Sequence, residues 1–134
     1  MMPAADHPES VETLERLGAR LRRRKSGRIH TVDFRPVAPL VGDPELVALE
    51  GLHSLVELYL SGTAISDDCL PSLARHGHLG TLDLQQTGIG DRVFELVTQL
   101  PELRVLVLSD TAVTVEEVRQ QRSRLIQVRL VHLG

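Results

Sequence analysis

The chain has 134 residues, 42% of them apolar, with 18 acidic against 15 basic side chains and a formal net charge of −3. That profile describes one ordinary domain, large enough to remove roughly two-thirds of its unfolded surface from water and to hold a core without staples or a structural metal. Its single cysteine, Cys69, excludes an internal disulfide framework, and no apolar run approaches the roughly 18 residues of a membrane span.

The polar, acidic opening lacks the basic-then-apolar order of a signal peptide, so a cytoplasmic location is expected. The first expected element is a helix over residues 8–24. Pro8 suits its first turn, Val11, Leu14, Leu17 and Leu21 recur on one face, and Lys25-Ser26-Gly27 ends it. Arg22-Arg23-Arg24-Lys25 would then lie at a helix C-terminus, where cations complement the macrodipole. Residues 1–28 carry seven basic and four acidic groups, whereas residues 29–134 carry eight and fourteen. An extended nucleic-acid surface is therefore disfavoured, leaving the basic run as the one place for anion or RNA contact. The two segments divide the chain into a capping helix with its basic turn, 1–28, and a larger remainder, 29–134.

A strand is expected at Ile29-x-x-Val32-x-Phe34, followed by a proline-broken stretch (Pro36, Pro39, Pro44) and a short helix from Asp43-Pro44-Glu45 to Gly51. Beyond it the chain repeats itself. Leu55-x-x-Leu58-x-Leu60-x-x-Thr63-x-Ile65 recurs 24 residues later from Leu79 to Ile89, and 24 residues after that from Leu103 to Val113. Weaker copies flank these: the Ile29 unit lies 26 residues before the first, and Leu125-x-x-Val128-x-Leu130 lies 22 residues after the last. Within each unit a period-2 segment such as Glu57-Leu58-Tyr59-Leu60-Ser61 predicts a half-buried strand. Helical spacing comes next, at Leu70, Leu73 and Ala74 and again at Val93, Leu96, Val97 and Leu100. Ser66, Gly90 and Thr114 stand where helix N-caps belong, with Asp67, Asp68, Asp91, Glu116 and Glu117 in the first turns; Thr114 with Glu117 reads as a capping box.

These units resemble the leucine-rich repeat family, whose pattern L-x-x-L-x-L-x-x-N/C-x-L the three central copies meet at nearly every apolar position. Thr63, Thr87 and Thr111 replace the family's Asn or Cys, a variant similar to short bacterial repeats reading SGTxITDxGL. The resemblance implies an α/β solenoid of about five strand-helix units, with a parallel sheet on its concave face and the N-terminal helix as its cap. The ladder threonines are expected to satisfy backbone groups in the bend after each strand.

Six histidines and one cysteine supply no spaced metal-ligand set, and His76-Gly77-His78 is the only close pair. Cys69 reads as a small buried thiol. The sequence contains no phosphate-binding loop, nucleophile elbow or zinc-protease motif, so no enzymatic activity and no cofactor are expected. The outward strand positions remain: Thr31, Asp33 and Arg35; Glu57, Tyr59 and Ser61; Thr81, Asp83 and Gln85; Val105, Val107 and Ser109; Gln127, Arg129 and Val131. With parallel strands about 4.8 Å apart, Asp33, Tyr59, Asp83, Val107 and Arg129 are expected to form a central row about 19 Å long. Such a mixed grid suits a protein or peptide partner, as the family resemblance also implies. The alternative is self-association into a homodimer through the C-terminal strand, where Ile126, Val128 and Leu130 would lie near an open edge.

Overall fold

Leu58, Leu82, Leu106 and Leu130 each occupy the middle of a three-residue strand, and all four are buried. The computed structural model describes residues 4–133; residues 1–3 and 134, which the expected limits 1–28 and 29–134 take in, lie outside the described residues. Its six strands are β1 (Arg20–Arg23), β2 (Ile29–Asp33), β3 (Glu57–Tyr59), β4 (Thr81–Asp83), β5 (Val105–Val107) and β6 (Arg129–Val131). They lie side by side in chain order, β1 antiparallel to β2 and every later pair parallel. Parallel neighbours need a crossover. After α1 (Pro8–Leu17), short helical segments supply it: α2 (Leu70–Leu73), α3 (Val93–Val97) and α4 (Val115–Arg122), with 3-10 turns at Arg35–Leu40 and Asp43–Gly51 in the longer first connection. Leu73, Val93, Leu96, Val97 and Val118 from these segments join the strand leucines in one core. Burying a leucine contributes roughly 1.5–3 kcal/mol, and a one-residue slip in β3 or β4 would exchange it for Glu57 or Tyr59, or for Thr81 or Asp83, so the register there is firmly specified.

The N-terminal segment departs from the expected single helix over 8–24. α1 ends at Leu17 because Gly18 adopts φ 91 and closes it, its amide donating to the Glu15 carbonyl while Ala19 donates to Leu14. The chain then becomes β1. Leu21 still faces inward, now by strand alternation opposite Val32, so the apolar spacing of a helix continues across the break. Arg22, Arg23, Arg24 and Lys25 therefore complete a strand and its hairpin turn, and no helix C-terminus lies beneath them. α1 packs on the 43–51 segment with Leu14 fully buried, and the His7 amide donates to the Gly51 carbonyl at 2.8 Å. A Cβ at Gly51 would collide with Ser10 and His7, so glycine is what permits this approach.

The last register also differs from the expected 22-residue spacing. Leu106 pairs with Leu130, Val105 with Arg129 and Val107 with Val131, which restores an offset of 24. α4 has eight residues where α3 has five, so the chain reaches the sheet later; Leu125 packs in the preceding bend and Gln127 lies ahead of the strand.

Each bend after a strand closes in the same way. The hydroxyls of Thr63, Thr87 and Thr111 donate to the carbonyls of Leu60, Leu84 and Leu108 at 2.7, 2.6 and 2.6 Å. The preceding residue is left-handed in all three bends, with φ 78 at Gly62, 56 at Gln86 and 56 at Asp110. A second tie runs between units. The Asp43 carboxylate accepts from the Ser66 amide and hydroxyl at 2.8 and 2.6 Å, Asp67 accepts from the Gly90 amide at 2.8 Å, and Asp91 accepts from the Thr114 amide and hydroxyl at 2.8 and 3.0 Å. These aspartates thus bind the next unit as well as opening their own helical turns. Thr114 caps α4 by accepting from the Glu117 amide, but its own amide donates to Asp91 in place of the expected reciprocal bond to the Glu117 carboxylate. Ser66 accepts from Asp68, whereas Gly90 stands three residues before α3 and receives the Val93 amide on its carbonyl.

Candidate functional site

Strand alternation places the residues between the core leucines on one broad face. The ladder aligns Asp33, Tyr59, Asp83, Val107 and Val131 in one row, and Thr31, Glu57, Thr81, Val105 and Arg129 in the next. The central row therefore ends in Val131; Arg129 falls beside Val105 because of the shift in the last strand. Arg35 stands just past β2, at the start of a 3-10 turn, and reaches back over the row. Thr31, Asp33, Asp83 and Ser109 are buried against their neighbours despite facing this way, whereas Glu57, Tyr59, Thr81, Gln85, Val105, Val107 and Val131 are half-buried and Arg35 and Arg129 exposed.

The N-terminal half of the face is a closed set of charges. Arg35 grips Asp33 with Nε to Oδ1 and Nη2 to Oδ2, both at 2.9 Å, while its amide also donates to Oδ1 at 2.9 Å. Burial alone would push the Asp33 carboxyl up, but these Arg35 bonds outweigh it and hold it below its ordinary value. The guanidinium lies 4.5 Å from the Tyr59 ring centre, a cation–π contact, and the Tyr59 hydroxyl donates to Glu57 at 3.0 Å. Burial and that carboxylate keep the phenol protonated beyond its usual range. Arg20 and Arg22 of β1 complete a cleft of about 100 Å³ with Thr31, Asp33, Arg35, Glu57 and Tyr59. Neither arginine is legible as a face residue while the segment is read as a helix; Gly18 and the alternation Arg20-Leu21-Arg22 are the signal that could have placed them.

Asp83 is in a different position. It is 5% exposed, its Oδ1 accepts the Gln85 amide at 3.1 Å, and burial raises its carboxyl above the ordinary value. On its far side the face turns apolar, through Val105, Val107 and Val131. Elsewhere the reactive groups stay apart. Cys69 is buried and its thiol pushed up to about 12, chiefly by that burial. His76 is buried and its Nε2 has no hydrogen-bond partner among the described residues, while His78 faces Glu102 at 3.3 Å. Among the described residues no three His, Cys, Asp or Glu side chains come together as a metal site, and no helix is long and apolar enough to cross a membrane.

No protein-family model matches the chain, and no curated protein matches it. Among solved structures it is similar to leiomodin-1 actin-binding site 2, with a TM-score of 0.63 over 92% of this chain and 78% of that one. The two sequences are 15% identical, so the likeness is one of fold.

Proposed function

We propose that the chain is a short leucine-rich-repeat solenoid and acts, without catalysis, as an interaction module whose concave sheet face binds a protein or peptide. One observation carries this reading: five parallel strands in continuous register hold Tyr59, Val105, Val107 and Val131 half-exposed on a single rigid face. Solvent alone favours polar side chains at such positions, whereas side chains already ordered by a sheet lose little entropy on contact. The 24-residue recurrence of leucine, threonine and aspartate supports the repeat family, and the fold neighbour's description as an actin-binding site is in keeping with a protein partner for this architecture. The single buried thiol fits a reducing compartment such as the cytoplasm.

The test is affinity capture with the wild-type chain, Tyr59→Ala and Val107→Asp. A partner held by the wild type should be lost from both variants. Their circular dichroism stays that of the folded chain because neither side chain enters the core, although loss of the Arg35 stack in one and a carboxylate beside Asp83 in the other lower the melting temperature modestly. Retention on both would move the site to the helical side.

A second reading has its own observation. Ile126 and Leu133, 85% and 80% exposed, flank β6, and a groove of about 230 Å³ lies between the α3 connection and residues 124–128. Pairing of two copies along this edge would cover both side chains.

A further inference from the structure

Asp33 and Asp83 occupy the same row of the sheet, two strands apart, and each begins the same local turn. In both, the carboxylate Oδ1 accepts the amide of the second residue on, Arg35 at 2.9 Å and Gln85 at 3.1 Å. Only the first of the two turns brings a cation. Arg35 also lays its guanidinium fork on Asp33 and covers both oxygens, whereas Gln85 has no charge to offer. Among the described residues Asp83 makes no other hydrogen bond and no ion pair, although it is 5% exposed. A carboxylate largely withdrawn from water is costly unless a cation pairs with it; Arg35 bonds Asp33 directly and acts on Asp83 only through space, so Asp83 keeps an oxygen with no cation bonded to it. The next strands offer Val107 and Val131 in the same row, with Val105 beside them.

We propose that the concave face recognises a basic-x-apolar segment of a protein partner, the cationic side chain pairing with Asp83 and the apolar one resting on Val107 and Val131. The inference rests on the reading of this face as a docking surface and names the partner's chemistry. Adjacent strands are about 4.8 Å apart, so Val107 and Val131 lie about 4.8 and 9.6 Å along the row from Asp83. Two residues of an extended peptide cover about 6.8 Å, which sets the second side chain of such a segment between the two valines. Arginine is favoured over lysine as the cation, because its fork can reproduce at Asp83 what Arg35 does at Asp33. The Arg35–Tyr59 stack walls off the other end of the row, where a second cation would meet a guanidinium already in place.

The probe is a fluorescent synthetic peptide library with arginine fixed two residues before leucine and polar residues elsewhere, alongside libraries in which glutamate replaces the arginine or serine the leucine. Fluorescence polarisation should show the arginine–leucine library binding at least tenfold more tightly than either control, with the preference shrinking as salt is raised. Asp83→Asn, which keeps size and shape, should weaken binding at least tenfold. Gln85→Arg should do the same by supplying the cation from within the chain, and it should raise the melting temperature, a gain that a disrupted fold could not produce. Failure of the arginine library to outbind the glutamate library, or unaltered binding to both variants, overturns the inference. If all libraries bind alike and Val107→Asp removes them, the basic requirement is wrong while the docking face stands. If Val107→Asp and Tyr59→Ala change neither library binding nor partner capture, the docking face itself is wrong.

Discussion

The hydroxyl of Thr87 donates to the Leu84 carbonyl at 2.6 Å inside a buried bend. Thr87→Val preserves its volume and removes the donor, so the carbonyl loses its partner at a cost of about 1–3 kcal/mol; an unchanged thermal midpoint would show the bond to be dispensable. One residue earlier, Gln86 holds φ 56, a region where a side chain is strained by roughly 1–2 kcal/mol. Gly62 fills the equivalent place in the preceding bend, and Gln86→Gly should leave stability unchanged or raise it by up to about 1 kcal/mol, because relief of strain offsets the added chain entropy. His76 sets a pH dependence. Burial first, and then the nearby charges of His53 and Arg75, lower it to about 4, so the folded protein keeps it neutral where the unfolded chain takes up a proton near 6.5. Stability complete above pH 6.5 therefore falls as pH drops toward 4, by up to about 3 kcal/mol. His76→Leu should flatten the urea midpoint between pH 7 and 5; equal slopes for wild type and variant would exclude His76 as the source.

At the scale of elements, the aspartate ties decide how well neighbouring units hold together. Asp67→Ala removes the acceptor of the Gly90 amide and should cost about 1.5–3 kcal/mol, the usual worth of a hydrogen bond to a charged group, without altering the strand register. A loss under about 0.5 kcal/mol in chemical denaturation would assign these residues to the helix dipole alone. Sequence by itself gives Asp67 and Asp91 that local sense, yet their 24-residue spacing already matches that of the threonines. The partner is what it cannot supply, since the bonds reach forward 23 residues to amides at positions of differing residue type. The strands β3, β4 and β5 were legible because leucines alternate there without interruption. The end of α1 was not, since Leu21 satisfies a helical and a strand pattern at once, and only Gly18 separates them. β6 was misplaced by two residues because Leu125 and Val128 imitate a strand while packing in a bend.

For the whole molecule, one core and one continuous sheet were readable from periodicity, whereas the balance of charge on the face depended on three-dimensional neighbours. In sequence Asp33 and Asp83 differ by the Arg35 and Gln85 two positions on, but what that does to their charge shows only when Arg35 is seen folded back onto the first of them. Self-association is a property of the same scale. If the β6 edge pairs with a second copy, sedimentation should show concentration-dependent dimers that Ile126→Lys with Leu133→Lys dissolves, since both side chains are exposed and their replacement leaves the core intact. Dimers that persist in the double variant must use another surface.

The forward-reaching aspartates also give the molecule a direction. Asp43 holds the unit of β4's helical approach at Ser66, Asp67 holds the next at Gly90, and Asp91 the next at Thr114, but the position after these in the same spacing is Val115, which has no carboxylate to offer. Segments in the middle are thus tied on two sides, and the α4–β6 segment receives a tie without giving one. Opening fluctuations should begin there and travel toward β4. Amide deuterium uptake should accordingly be fastest in α4 and β6 and slowest across β3 and β4, a kinetic gradient along a sheet whose strands otherwise look alike.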